Sequence, residues 1–327
     1  MADPVLVTGA TGFVGSAVCR HLLRQGFAVR ALHRSTSDLT ALQGLNVERV
    51  AGDILDPDSL LPAAAGVRRV FHVAAQAAYW RQRPEHVIRA AVEGTRHVVD
   101  ACLRAGVERL VLTSSLAALG VPLGHELLAE AHVFNLPAKR FPYGYAKRQA
   151  EIEAVQRAGA ALEVVIVNPS IVLGAGDAHQ ISGSLVVQAA RGRTFLYTEG
   201  GTNIVHIDDV AAGHLAAAER GRHGERYILG GENLTHRELF TLLAEIVGGP
   251  RPWLRLPDLA IGPAAALIDL ARGVLPMPLD GNQLRLSRYR LFCDTTKARD
   301  ELGLVHQRSA RQAIVEALAW YRAQGVV

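Results

Sequence analysis

The chain has 327 residues, 49% of them hydrophobic and 20% charged, a balance that suits a globular protein with a large core and one or two domains. Its formal charge of +4 is spread over scattered arginines, with lysine only at positions 139, 147 and 297, which argues against a nucleic-acid-binding tract. The cysteines, Cys19, Cys102 and Cys293, offer no CxxC or Cys/His spacing, so neither a disulfide framework nor a metal site is expected and the compartment is read as reducing cytosol.

Residues 4–8 read as a short apolar strand, with no charged leader and apolar run of a signal peptide before it. A helix over 12–25 opens on a glycine-rich turn and ends at Gly26. Strands follow at 27–32 and 47–51, the second leading into a helix whose first turn holds Pro57 and Asp58. A strand at 69–73, a long helix at about 85–105 that stops at Gly106, a strand at 109–113, a helix at 143–158 and a strand at 162–167 complete the alternation. These strands are continuous apolar runs such as Val164-Val165-Ile166-Val167, the pattern of a parallel sheet covered on both faces. The order predicts an α/β protein built on a doubly wound parallel sheet.

After residue 174 the pattern loosens. Residues 205–220 read as a strand end and a helix capped by Asp208 or Asp209. A strand at 226–229 and helices at 235–247 and 309–323 follow, the last with Ile314, Ala317, Leu318 and Tyr321 on one stripe. The apolar stretch 258–275 is interrupted by Asp269 and Arg272, and predicts a lid or oligomer helix in place of a membrane span. The division expected is a nucleotide-binding domain over 1–174, to which 204–222 returns, and a smaller C-terminal substrate domain over 175–203 and 223–327.

Two motifs carry chemistry. Strand, glycine turn and helix at Thr8-Gly9-Ala10-Thr11-Gly12-Phe13-Val14-Gly15 supply what a dinucleotide needs. Gly9 permits a tight turn, Gly12 lets backbone approach a pyrophosphate at the helix N-terminus, and Gly15 allows close helix–strand packing. The second strand ends in His33-Arg34-Ser35-Thr36-Ser37, with no carboxylate for a ribose 2′-OH; Arg34 and Ser35 can hold a 2′-phosphate instead, which predicts NADP over NAD. Tyr143 and Lys147 are four apart and share one helical face. An ammonium beside a phenol is expected to lower a pKa that starts near ~10 and to ready it for proton exchange.

With Gly52-Asp53-Ile54, Phe71-His72-Val73-Ala74-Ala75, Thr113-Ser114-Ser115 and Asn168-Pro169-Ser170-Ile171-Val172-Leu173-Gly174 in order, the chain resembles the extended short-chain dehydrogenase/reductases over essentially its whole length. Within them it is similar to the dihydroflavonol-reductase-like branch, and to bacterial proteins called hopanoid-associated sugar epimerases. The resemblance implies a Rossmann domain with a smaller substrate domain, and a homodimer paired through the helices at 85–105 and 143–158. It implies that Tyr143 is the acid/base, that Lys147 binds the nicotinamide ribose and lowers the tyrosine pKa, and that Ser115 polarises the substrate carbonyl. It assigns Asp53 and Ile54 to adenine, Val73, Ala74, Ala75 and Thr113 to the cofactor channel, and Pro169, Ile171 and Val172 to the nicotinamide end. Thr11, Phe13 and Val14 join the phosphate turn, and Asn168 is placed toward substrate. Tyr145, off the shared face, is read as packing.

There are three departures. Ala91 stands where the family often has an asparagine; Gly201-Thr202-Asn203 lacks the cation that grips a nucleotide-sugar diphosphate; and Leu116 follows Ser115 where 4,6-dehydratases carry an acid. The expected pocket wall, Gln76-Ala77-Ala78-Tyr79-Trp80, is aromatic and uncharged. The reading is therefore an NADP-dependent reductase of a small to medium aldehyde or ketone. The alternatives are an epimerase or dehydratase with tightly held NAD, and a nonenzymatic NADP sensor on the same fold.

Overall fold

The computed structural model describes residues 4–75, 83–271, 280–305 and 308–327. In chain order the first part runs β1 (Val5–Thr8), α1 (Phe13–Arg24), β2 (Val29–His33), β3 (Glu48–Ala51), α2 (Pro57–Ala64), β4 (Arg69–His72), α3 (Pro84–Ala105), β5 (Arg109–Thr113), α4 (Pro142–Ala158) and β6 (Glu163–Pro169). The remainder runs β7 (Ile171–Leu173), α5 (Ser184–Ala190), β8 (Leu196–Tyr197), β9 (Gly201–His206), α6 (Ile207–Arg220), β10 (Arg226–Leu229), β11 (Glu232–Thr235) and α7 (His236–Val247). It ends with β12 (Leu254–Arg255), α8 (Asp258–Ala271), α9 (Gly281–Leu286), α10 (Thr296–Leu302) and α11 (Ala310–Ala323).

Seven strands form one sheet in the order β10-β6-β5-β4-β1-β2-β3, all pairs parallel. This is the expected Rossmann architecture, with the strand order reversing between β1 and β4. Apolar side chains cover both faces: Val5, Val18, Leu22, Val210 and Ala217 on the α1/α6 side, and Leu6, Leu60, Val98, Leu110 and Ala154 on the α2/α3/α4 side. Among the described residues no helix is long and apolar enough to cross a membrane.

Two readings are corrected here. The strand at 226–229 was assigned to the smaller domain, yet β10 pairs with β6 from Arg226↔Ile166 to Leu229↔Pro169. Its Tyr227-Ile228-Leu229 run is fully buried, which only an interior or covered edge strand requires. The N-cap of α6 is His206, whose imidazole accepts from the Asp208 amide, while Asp208 and Asp209 lie in the first turn. There they complement the helix dipole without capping it.

A separate three-stranded sheet, β11-β9-β7, sits between the main sheet and a helical cluster of α5, α7 and α11. Ile314, Ala317, Leu318 and Tyr321 form the buried stripe of α11 as read from the sequence. Thr235 and Glu238 close a capping box on α7. The apolar stretch becomes α8 over its first part, with Leu259, Leu267 and Leu270 exposed. The three thiols are buried and free, and burial pushes each up to about 12.

Helices α3 and α4 pack along a seam of small residues. Ala146, Ala150, Ala154 and Ala158 recur every four positions on the buried face of α4. At the sheet crossover, Gly9 has φ +65°, and a Cβ there would stand 2.6 Å from Ala74 Cα. A Cβ on Gly15 would stand 2.1 Å from the Gly9 carbonyl oxygen. Neither neighbour is a side chain that can swing away. Gly15→Ala is therefore expected to cost about 1–3 kcal/mol by overpacking, read as a lower thermal midpoint.

His72 and His214 are fully buried, and burial pushes their imidazoles down to about 3 and about 4. A group with a depressed basic pKa binds its proton more readily unfolded, so stability is complete above the ordinary value of 6.5 and falls as pH drops toward those lower values. His214→Gln is expected to remove one proton from that acid slope, about 1.4 kcal/mol per pH unit, in chemical denaturation between pH 6 and about 4.

Candidate active site

The strand-order reversal opens a crevice at the carboxyl ends of β1 and β4, the place where open α/β sheets bind ligands. Its floor is the close contact of Gly9 with Ala74 and its rim is Val73, Ala74 and Ala75. Thr8 ties the two strand ends: its hydroxyl accepts from the Ala74 amide at 3.2 Å and bonds His72 Nδ1 at 2.8 Å. No side chain caps the first turn of α1, so its amides face the crevice beside Thr11, Gly12, Phe13 and Val14. The glycine cradle and the uncapped helix start fit a dinucleotide pyrophosphate.

Just after β2, Arg34 and Ser35 are exposed on a turn closed by Ser37 N–H to the Arg34 carbonyl at 2.9 Å. Arg34 forms no ion pair among the described residues. Asp53 accepts from the Leu55 amide at 2.9 Å, and Ile54 fills the space left by Gly94 on α3.

The chemistry-bearing groups come from β5 and α4. Ser115 follows β5, caps the 3-10 turn Leu116–Leu119 and shares a hydrogen bond with Tyr143. Lys147, one turn beyond Tyr143, is buried and donates to the Thr113 carbonyl at 2.8 Å. A cavity of about 20 Å³ lies against Tyr143, Lys147, His72, Thr95 and Ala91. Ala91, where the family often has an asparagine, is thus one wall of a space large enough for a water molecule. Tyr145 packs against Phe134 with ring centroids 6.1 Å apart, as read from its spacing.

The electrostatics reverse one expectation. Lys147 was expected to pull the Tyr143 phenol below its ordinary value. Burial instead pushes the phenol up, and the Ser115 hydrogen bond offsets only part of the rise. Lys147 is itself pushed down to about 8 by burial, with the Glu151 carboxylate opposing. Desolvation outweighs attraction here because both groups sit in the same dry place.

Asn168 was placed toward substrate; the structure buries it completely beneath the site. Its Nδ2 donates to the Ser115 carbonyl at 3.0 Å and to Glu151 Oε1 at 2.8 Å. Pro169 pairs with Leu229 at the end of β6, while Ile171 and Val172 line β7 against β9. Gln76, Tyr79 and Trp80 lie outside the described residues. Sequence reasoning missed His72, which bonds Thr95 as well as Thr8, and His214, which bonds Thr113 Oγ1 at 2.8 Å. It also missed Glu151, although its position four residues after Lys147 was a readable signal.

The profile of the NAD dependent epimerase/dehydratase family matches residues 5–230. A Synechocystis sp. protein provisionally named a dihydroflavonol 4-reductase is 38% identical, spanning 100% of this chain and 97% of that protein. Sterol demethylase protein B of Methylococcus capsulatus is 36% identical over 98% of this chain and 99% of its own length. The solved structure of PA4631, a nucleoside-diphosphate-sugar epimerase from Pseudomonas aeruginosa, is 28% identical with a TM-score of 0.84, covering 100% of this chain and 99% of that one. The glycine cradle, the sheet order and these likenesses agree: the chain belongs to the NAD dependent epimerase/dehydratase family, and is an NAD(P)-dependent enzyme of the extended short-chain dehydrogenase/reductase type.

Proposed function

We propose that the enzyme reduces the carbonyl of a small to medium aldehyde or ketone with NADPH. The observation that carries this reading is geometric: the Tyr143 phenol, bonded to Ser115, meets Lys147 one helical turn on at the cavity beside Ala74 and Ala75. A phenol kept protonated at neutral pH is a general acid, which is what carbonyl reduction asks of it. Bound nicotinamide supplies the hydride. Ser115 and Tyr143 hydrogen-bond the substrate oxygen, stabilise the charge that develops there, and Tyr143 gives its proton to that oxygen. Lys147, one helical turn beyond Tyr143, is placed to bind the nicotinamide ribose. The chain is read as a cytosolic homodimer.

The substrate side also supports a reductase. In the segment where a diphosphate grip was sought, Asn203 is fully buried and engaged with Ser170, Gly231 and Asn233. Of the three second-domain arginines that could grip a phosphate, Arg285 pairs with Asp269 at 2.8 Å, Arg191 donates to the Val326 carbonyl at 3.2 Å and Arg193 reaches Gln188 Oε1 at 3.5 Å. The 2-alkyl-3-oxoalkanoate reductase of Stenotrophomonas maltophilia, 34% identical over 76% of this chain, is named for a carbonyl reduction. The second reading, a sugar epimerase with tightly held NAD, draws on the likeness to the Pseudomonas protein. Protein that purifies with bound nicotinamide and ignores added NADPH would favour it.

With NADPH and a panel of aromatic and aliphatic aldehydes, turnover is expected in the wild type. Tyr143→Phe should lower kcat by about 10²–10⁴ while the affinity for NADPH, measured by fluorescence titration, stays within a few-fold. An unchanged rate would remove Tyr143 from the mechanism. Arg34→Asp should weaken NADPH by about tenfold to a hundredfold and leave NADH nearly as before; equal losses would overturn the choice of NADP.

A further inference from the structure

Beneath the site, α4 carries a second charged side chain that the proposed reaction does not use. Tyr143, Lys147 and Glu151 are spaced by four and lie along one side of the helix. Glu151 is 1% exposed. A carboxylate is not buried so deeply without partners, and here they come from four elements. Ser114 on the segment after β5 donates to Oε1 at 2.5 Å, and Asn168 on β6 donates to the same oxygen at 2.8 Å. Arg148 on α4 donates to Oε2 at 3.1 Å, and Arg226 on β10 stands 3.7 Å from it. The Asn168 amide that holds Glu151 also holds the Ser115 carbonyl.

The charges around Lys147 give this cluster its meaning. From α4 the lysine faces Tyr143 and Glu151; from β4, His72; from β5 and the segment after it, the Thr113 carbonyl and the neutral Ser114. The α3 residues at that cavity, Val87, Ala91 and Thr95, carry no charge. His72 is neutral at any physiological pH, because burial and Lys147 together push it down to about 3. Glu151 is the carboxylate that bears on Lys147, and it also meets Arg148 and Arg226, the latter flanked by Glu130 and Glu225 as well.

We propose that Glu151 is the counter-ion that keeps Lys147 charged at neutral pH, and that through Asn168 it positions the backbone carrying Ser115. Removing its charge would leave the desolvated Lys147 ammonium without the carboxylate one turn further along its own helix. Lys147 would then release its proton at lower pH. The bearing on turnover rests on the reductase reading, but the titration of Lys147 does not.

Because the chain has lysine only at 139, 147 and 297, the test can be direct. Protein labelled with ¹³C at lysine Cε gives three resonances, assigned with Lys139→Arg and Lys297→Arg, and followed by NMR from pH 6 to 11. In the wild type Lys147 should titrate near 8. In Glu151→Gln its midpoint should fall by about one pH unit or more, with circular dichroism confirming the fold. A folded Glu151→Gln whose Lys147 midpoint is unmoved or raised overturns the proposal. Should that variant not fold, Arg148→Leu decides: Arg148 holds Glu151 Oε2 at 3.1 Å, so its loss leaves more of the carboxylate's charge to Lys147 and should move the lysine upward, and an unchanged or lower midpoint overturns the proposal equally. Where turnover is measurable, the alkaline limb of the kcat profile should move in the same direction as the NMR midpoint.

Discussion

Two backbones meet at the crossover of this sheet without room for a single methyl group between them. Gly9 lies against Ala74, and Gly15 lies against the Gly9 carbonyl. That contact fixes the spacing of β1, β4 and α1, and with it the width and floor of the crevice. It also leaves the first turn of α1 uncapped and facing inward. Everything proposed about cofactor and substrate presupposes this approach, since a wider turn would move the helix start away from where a pyrophosphate could reach it.

On the other side of the crevice the constraint is electrical. Lys147 and Glu151 are both buried on α4, and each is tolerable only because neighbouring elements satisfy it. Strand ends do most of this: the Thr113 carbonyl takes the lysine, and Ser114 and Asn168 take the carboxylate. The result is an acid-holding arrangement, with Tyr143 kept protonated by the same dryness that makes its neighbours costly.

Much of this was legible in the sequence because the signals were local. Glycine spacing, continuous apolar strands and the four-residue interval of Tyr143 and Lys147 depend on neighbours along the chain, and the Rossmann sheet follows from them. What was not legible depends on contacts between segments far apart. His214 meets Thr113 across 101 residues, and Arg226 reaches Glu151 across 75 by joining β10 to β6. Nothing in the run Arg226–Leu229 distinguishes a strand of the main sheet from one of the smaller part. The direction of the Tyr143 shift was misread for a related reason: the attraction of Lys147 is visible as spacing, while desolvation belongs to the assembled pocket. Asn168 was misplaced because its motif shows a strand end without showing which side of it is covered.

The alanines along α4 carry a last consequence. Ala146, Ala150, Ala154 and Ala158 lie on the buried face of α4, so methyl groups stand where that helix meets the rest of the fold. A seam of that thickness has almost no slack in either direction: lengthening one side chain lifts the helix, and trimming it to glycine loosens the helix itself. Variation in what this enzyme accepts is therefore left to side chains away from that face.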